Sequence, residues 1–445
     1  MNRAATGLLF VLALALLGQT IKTITAYKGL PNFFPIVRDL LLMTIFVWSL
    51  GRASLFSNTR LAASLILFLF LFIAYIVISI LENQYFIGFY YARVYLQPIL
   101  FFVAMNIILQ QMNFTGVVRV LRFAAWFNVF ILLAAFVLYA MILYLPGERV
   151  VLFGASILPS AWYISGGIFM RMGLPLTAPN SLGTYLGLSL LMTLLVILAM
   201  PSGTRGRRAY MLLAGFNIIA LVATFSRSAM LMVVVGSVSL LLVPAFRRGR
   251  FLSRLVTMSA VFLVVVVMGG MLVELLSNGF VSRWIELNLS LQDPSMRGHM
   301  LSFETAYNNF YQYALYGYDR GTVGPKALVS ISYSNNIENS VLGVIYDFGI
   351  IGAFFFFLGY ALLFVDGYKT KLQLPLLVGF LVNIQFLPYI FEPEIISFFI
   401  FAFLLIGHLD RVGFFSSLYE VSDNQAACMP KKGFSGNVKQ SGLGV

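Results

Sequence analysis

The feature that most constrains this chain is a series of about twelve apolar stretches, each near the roughly 20 residues that a helix needs to cross a bilayer. Of the 445 residues, 60% are hydrophobic and 10% are charged, whereas a soluble domain carries roughly 25% charged residues. No soluble fold buries so much apolar surface, but a bilayer accepts it as outer surface. The sequence therefore predicts an all-α polytopic membrane protein. The predicted spans are 4–20, 33–51, 61–81, 92–110, 119–145, 175–200, 209–225, 229–246, 255–276, 339–365, 374–391 and 394–409.

Basic residues predict the orientation of these spans. A net charge of +13 would favour nucleic acid in a soluble protein, but here many basic residues lie in alternate short loops. Such loops face the cytoplasm, so both termini are predicted to be cytoplasmic. We expect membrane lipids, and no nucleic acid, as partners. The basic residues on this side are Arg52, Arg60, Arg119, Arg122, Arg205, Arg207, Arg208, Arg247, Arg248, Arg250, Arg254, Lys369, Lys371, Arg411, Lys431 and Lys432.

The chain divides into four predicted parts. Residues 1–276 hold spans one to nine, residues 277–338 form a long loop on the outer side, and residues 339–409 hold the last three spans. The loop is too long for a tight turn, so we expect it to fold over the outer mouth of the bundle. Residues 410–445 form a cytoplasmic tail, which is polar and expected to be disordered.

Cysteine and histidine are scarce. Cys428 is the single cysteine, and the two histidines are His299 and His408. A disulfide within the chain and a cysteine metal site are therefore excluded. The sequence also has none of the glycine-rich phosphate motifs of nucleotide enzymes. These counts disfavour a buried zinc or haem site; the expectation of no metal and no cofactor comes from the family resemblance described below, in which the leaving group is already activated.

Several ionisable residues are predicted at the outer end of the spans, where burial is costly and often functional. Arg171 and Arg227 stand next to spans, Arg297 lies in the long loop, and Glu338 begins the tenth span. Each also has a structural explanation, such as snorkelling for Arg227 and helix capping for Glu338. Together, the arginines suggest an anionic lipid-linked substrate, because a guanidinium binds phosphate oxygens bidentately. The outer set is Arg93, Arg171, Arg227, Arg297, Glu338, Glu392 and Glu394.

The segment from Tyr307 to Tyr318 is dense in aromatic residues, among them Tyr311 and Tyr316. Flat rings with a polar tip suit the faces of sugars. An aromatic belt at the membrane interface explains the same pattern equally well. Tyr311, Tyr316 and Tyr318 are therefore candidate glycan-binding residues.

Three stretches of the sequence resemble the O-antigen polymerase and O-antigen ligase superfamily of bacterial membrane glycosyltransferases. The first is Arg171-Met172-Gly173 with Pro179-Asn180-Ser181-Leu182-Gly183, and the second is Phe225-Ser226-Arg227-Ser228-Ala229. In the third, Glu338-Asn339 is followed by nine residues and then by Gly349-Ile350-Ile351-Gly352. The ligases have histidine where this chain has Glu338, so the resemblance favours the polymerase branch. Leu315-Tyr316-Gly317-Tyr318-Asp319 departs from the Pro-Leu-x-Gly-x-Gly of many relatives.

The resemblance implies a GT-C-like fold and a polymerase of lipopolysaccharide biosynthesis in the bacterial inner membrane. Its substrates would be glycans on undecaprenyl pyrophosphate at the periplasmic face, and a chain-length regulator would be a partner. Arg227 and Arg297, with Arg171 as a third candidate, would bind the donor pyrophosphate, and Glu338 would be the catalytic base. The alternatives are an O-antigen ligase, which transfers glycan to lipid A core, and a transporter with twelve spans.

Overall fold

The computed structural model describes residues 3–17, 34–51, 59–81, 85–144, 150–152, 155–157, 171–176, 178–200, 203–240, 300–301, 304, 307–308, 314–315, 317, 339–387 and 392–416. These residues are almost entirely helical. The helices are α1 (Arg3–Leu16), α2 (Phe34–Leu50), α3 (Thr59–Leu81), α4 (Tyr85–Gln110), α5 (Phe114–Tyr144), α6 (Pro179–Ala199), α7 (Arg205–Ala223), α8 (Arg227–Ser239), α9 (Ser340–Gly367), α10 (Leu374–Asn383) and α11 (Pro393–Arg411). A 3₁₀ turn, Lys371–Gln373, precedes α10, and the short strands β1 (Val150–Leu152) and β2 (Ala155–Ile157) pair antiparallel.

Seven of the described helices are long and apolar enough to cross a membrane, as judged by length and composition. They lie in α3, α4, α5, α6, α7, α9 and α11. One face of α3 and one face of α5 are apolar and exposed, as Phe70 and Trp126 show with 63% and 74% of their surface exposed. In water such faces would be unfavourable, whereas lipid solvates them. These helices confirm the predicted helical class, and seven of them are long and apolar enough for a membrane.

Helices occupy eleven of the twelve predicted spans within the described part of the chain. The ninth, 255–276, lies outside the described residues, so the number of crossings stays a prediction. The eleventh, 374–391, is shorter than expected, because α10 ends at Asn383 after 10 residues. The carbonyls that follow bond to α9 instead, where Ser340 donates its N–H to Ile384 at 3.1 Å and its hydroxyl to Leu387 at 2.6 Å.

Two helices form the centre of the bundle. Almost every residue of α6 and of α11 is buried, and the Tyr185 and Phe398 rings pack against each other with centroids 4.4 Å apart. Along α6, Gly183 contacts Ser226 and Gly187 contacts Met232, so α6 and α8 run in the same direction. These contacts place the starts of both helices at one end of the bundle.

α9 contains a break at Gly349, where φ is 70° and ψ is 176°. Only glycine adopts this conformation readily. The N–H of Ile350, just after the break, donates to the Ala314 carbonyl at 2.8 Å. Gly317 packs so tightly there that a Cβ on it would lie 2.3 Å from the Asp347 carbonyl oxygen. Ala314 and Gly317 of the predicted outer loop are thus docked on the break in α9.

Candidate functional site

Arg227 lies on a tight turn between α7 and α8. Thr224 caps α7, Phe225 has a positive φ of 49°, and Ser226 precedes the first residue of α8, which is Arg227. A bulky residue with positive φ is uncommon and costs free energy. A cation at a helix N-terminus is also opposed by the helix dipole, typically by 0.3–1 kcal/mol. Local helix energetics therefore do not explain why arginine stands at this position.

Arg171 is fixed against the same turn. Its Nε donates to the Thr224 carbonyl at 2.9 Å, and its Nη2 donates to the Asn180 side-chain oxygen at 2.7 Å. The next residue, Met172, donates its N–H to the Ala223 carbonyl at 2.9 Å. The structure thus brings Arg171 to within three residues of Arg227 along the turn, although 56 positions separate them in the sequence.

Close packing of α6 completes this part of the site. A Cβ on Gly183 would lie 2.7 Å from the Ser226 Cβ and 2.9 Å from the Thr224 hydroxyl. Gly183 therefore lets α6 approach the α7–α8 turn directly. Pro179 begins α6 at a position where the missing N–H costs nothing. The Pro-Asn-Ser-Leu-Gly stretch and the Phe-Ser-Arg turn are parts of one site.

α11 contributes a carboxylate to this end of the bundle. Glu392 is only 8% exposed, and its Oε2 accepts a hydrogen bond from the Ser181 hydroxyl at 3.0 Å. Ser181 follows Asn180, the partner of Arg171. We define the candidate site by the residues Arg171, Asn180, Ser181, Thr224, Arg227 and Glu392, which come from four segments of the chain.

The start of α9 lies at the same end. The Asn339 side-chain oxygen caps α9 by accepting from the N–H groups of Val341 and Leu342, both at 2.9 Å. Its amide nitrogen donates to the Gln385 carbonyl at 2.8 Å. Asn383, two residues earlier, donates to the Thr184 hydroxyl of α6 at 2.8 Å. The N-termini of α6, α8, α9 and α11 are therefore linked at one end, where their dipoles favour an anion.

Of the seven site residues that the sequence predicts, Arg171 and Arg227 are described, and Arg171 bonds to the turn that precedes Arg227. Arg297, Glu338, Tyr311, Tyr316 and Tyr318 lie outside the described residues and stay predictions. Asn339, the neighbour of Glu338, is placed at the end of the bundle that holds the candidate site.

Sequence reasoning did not single out the buried acid Asp347. The Asp347 side chain has no exposed surface, and it accepts a hydrogen bond from the Tyr95 hydroxyl at 2.5 Å. It lies two residues before the break in α9. Its position inside a predicted span and beside the Gly349 motif could have marked Asp347 as a candidate. An acid at membrane depth is costly and is usually functional.

No protein-family model, curated protein or solved structure matches this chain.

Proposed function

We propose that this protein is a polysaccharide polymerase, a metal-independent glycosyltransferase of the bacterial inner membrane. It would transfer a glycan from undecaprenyl pyrophosphate onto another lipid-linked repeat unit. The observation that carries the proposal is the hydrogen bond of Arg171 to the turn from which Arg227 begins α8, at an end of the bundle where four helix N-termini are linked. Fixed cations and helix N-termini are suited to pyrophosphate.

The topology predicted from the basic loops indicates which side of the membrane the candidate site faces. Arg207 donates to the backbone oxygen of Met200, at the C-terminal end of α6, and Arg411 donates to the Leu109 carbonyl near the C-terminal end of α4. Both arginines belong to the set predicted to face the cytoplasm. The candidate site lies at the opposite end of α6 and α11, which would then be periplasmic. That is the side where lipid-linked glycans are expected for this family.

The proposed chemistry breaks the bond between the anomeric carbon and the pyrophosphate oxygen while an acceptor hydroxyl attacks that carbon. Negative charge grows on the leaving pyrophosphate, and Arg227, Arg297 and Arg171 would stabilise it in the transition state. The acceptor proton would pass to Glu338. The pyrophosphate leaves without protonation, so a single base is enough.

Deletion of the gene, followed by glycan analysis, tests this proposal. A polymerase mutant should accumulate single repeat units, whereas a ligase mutant should accumulate finished polymer on the lipid carrier. Arg227→Ala should reproduce the deletion phenotype at a normal protein level, and Arg227→Lys should be impaired because it keeps the charge and loses the planar fork. Normal polymer from Arg227→Ala would refute the role of Arg227.

One observation favours the transporter alternative. The break in α9 at Gly349 and the buried Asp347 resemble the broken helices and buried acids of secondary transporters. A transporter would require an ion gradient, whereas polymer formation in detergent solution would not. Polymer synthesis by purified protein without a gradient therefore separates the two functions.

A further inference from the structure

A charged cluster lies outside the candidate site, between α2 and α4. The Arg38 Nε donates to the Asp39 Oδ1 at 2.9 Å, and the Arg93 Nε lies 2.8 Å from the Asp39 Oδ2. We call these three residues the Asp39 cluster. Two guanidinium groups share one carboxylate here. The carboxylate balances one of them, so the cluster keeps one positive charge among the described residues.

Arg38 is the member of the cluster that the packing of the helices does not require. The ion pair between Asp39 and Arg93 joins α2 to α4 and needs only those two residues. Arg38 lies on the same helix as Asp39 and bonds only to that neighbour among the described residues. A cation at the edge of a membrane is costly, so its presence beside a balanced pair calls for an anionic partner.

The unused donors of Arg38 are open to such a partner. A guanidinium has five N–H groups, and Asp39 accepts from the one on Nε. The four terminal N–H groups have no partner in the described part of the chain. The side chain is only 11% exposed, but no atom of it is both buried and unpartnered. The terminal groups therefore reach the surface of the protein.

The Asp39 cluster lies at the depth of lipid headgroups in the predicted topology. The Leu109 carbonyl, near the end of α4, accepts from Arg411 at the predicted cytoplasmic side. Arg93 precedes Leu109 by 16 residues of the same helix, which corresponds to roughly 24 Å at 1.5 Å per residue. The hydrocarbon core of a bilayer is about 30 Å thick. Arg93 thus lies near the outer boundary of this core, within reach of lipid phosphates.

An exposed apolar face leads from the cluster along α2. It carries the exposed side chains of Ile36, Leu40, Met43 and Val47, whose spacing of three or four residues places them on one side of the helix. Asp39 lies three residues after Ile36 and four before Met43, so it borders this face. From Asp39 to Val47 the face extends roughly 12 Å, most of the hydrocarbon depth of one leaflet. Charge at one end and apolar surface beneath it match the headgroup and acyl chain of a lipid.

We propose that the Asp39 cluster binds the phosphate of an anionic phospholipid of the outer leaflet, with an acyl chain on the exposed face of α2. The terminal N–H groups of Arg38 donate to the phosphate oxygens, since a planar guanidinium fits them in pairs. Asp39 is a positioning residue that holds the Nε side of both guanidinium groups. A phospholipid is the expected occupant because the face is open to the bilayer. This lipid site does not depend on the proposed function.

Native mass spectrometry of the full-length protein in detergent measures the affinity for the first bound lipid. The two probes are dioleoyl phosphatidylglycerol, which is anionic, and dioleoyl phosphatidylcholine, which has the same chains and a zwitterionic headgroup. The wild-type protein should bind phosphatidylglycerol roughly fivefold more tightly, as expected of one surplus cation near a headgroup. Arg38→Gln should abolish this preference and weaken phosphatidylglycerol binding roughly fivefold to thirtyfold. Arg38→Lys should lie in between, because it keeps the charge and loses the planar fork.

Arg60→Gln is the matched control. Arg60 is an exposed arginine at the start of α3, so this variant removes the same charge from another membrane interface and should leave the affinity within about twofold of wild type. Thermal unfolding separates lipid binding from structure. Phosphatidylglycerol should raise the unfolding temperature of the wild type and not that of Arg38→Gln, while both should unfold alike in phosphatidylcholine. Arg93→Gln breaks the pair between α2 and α4 and should unfold earlier in both lipids.

Several results would overturn the inference. Equal affinity of the wild type for the two lipids would exclude an anionic lipid site without the use of any variant. Unchanged phosphatidylglycerol binding in Arg38→Gln, or an equal loss in Arg60→Gln, would exclude the Asp39 cluster as its location. Equal destabilisation of Arg38→Gln in both lipids would indicate a structural role. Displacement of phosphatidylglycerol by inorganic phosphate, or by lower concentrations of the lipid-linked repeat unit, would assign the cluster to a free anion or to the substrate instead.

Discussion

The docking of Ala314 and Gly317 on the break in α9 predicts a large effect for a single methyl group. In Gly317→Ala, the new Cβ would lie 2.3 Å from the Asp347 carbonyl oxygen and 2.7 Å from its carbon. Both are backbone atoms and cannot rotate away, so the segment must retreat by roughly 1 Å to reach an ordinary packing distance. That movement would break the hydrogen bond from Ile350 to Ala314, which measures 2.8 Å.

Gly413 supplies a matched control for the backbone strain. Gly317 and Gly413 have similar positive φ values of 83° and 81°, but a Cβ on Gly413 would meet nothing within 4 Å. Alanine at either position costs about 1–2 kcal/mol for the left-handed conformation. The variant Gly317→Ala loses in addition a hydrogen bond and leaves an N–H unpaired, at about 1–3 kcal/mol. The difference in stability between the two variants therefore measures the free energy of docking, apart from backbone strain.

Limited proteolysis measures that difference locally. Chymotrypsin cuts after aromatic residues, and mass spectrometry of the purified protein gives the rate of cleavage between Tyr307 and Tyr318. When opening is fast relative to cleavage, this rate follows the population of the undocked segment. We expect Gly317→Ala to raise the rate about 5- to 150-fold above that of Gly413→Ala, from the extra ~1–3 kcal/mol. Equal rates in the two variants would refute the docking.

Two further predictions concern residues outside the described part of the chain. Ser290→Cys, with Cys428 replaced by serine, should react with an impermeant thiol reagent in intact spheroplasts, because residues 277–338 are predicted to be periplasmic; reaction only after lysis would reverse the topology. Glu338→Gln should lose most turnover while lipid-linked substrate still binds, because it keeps the size and hydrogen bonding of the side chain and removes its basicity; near-normal polymer would show that Glu338 is structural.

The helical class and most span positions could be predicted from hydropathy alone, because lipid demands about 20 apolar residues per crossing whatever the partner helices are. The end of α10 at Asn383 was missed, although Pro388 signals a helix end within a few residues of it. It depends on hydrogen bonds from Ser340, a residue of another helix. The sequence stays mostly apolar beyond Asn383, so hydropathy alone does not predict that the helix ends there.

Only part of the candidate site could be predicted, because contacts between distant parts of the chain are not visible in local sequence. Arg171 and Arg227 could be found because charges beside spans are rare and stand out. The link between them runs through the Thr224 carbonyl, and a backbone oxygen leaves no mark in the sequence. Ser181 and Asn383 could not be identified either. Small polar residues are common in membrane helices, and only their contacts in the folded protein set these two apart.

The role of Arg171 gives a last prediction. Its guanidinium joins two segments, through Nε to the Thr224 carbonyl and through Nη2 to the Asn180 side chain. Arg171→Lys keeps the positive charge, but a compact ammonium cannot reproduce the geometry of the planar fork. Loss of one of the two charged hydrogen bonds should destabilise the protein by about 1.5–3 kcal/mol. The α7–α8 turn would then hold Arg227 less firmly, so polymer synthesis should fall as well. Thermal unfolding in detergent measures the first effect, and glycan analysis measures the second. Arg207→Lys is the control, because Arg207 donates to the Met200 carbonyl at 3.4 Å at the far end of α6, and an ammonium can keep such a contact. If Arg171→Lys unfolds at the wild-type temperature and makes normal polymer, the fork of Arg171 does not build this site.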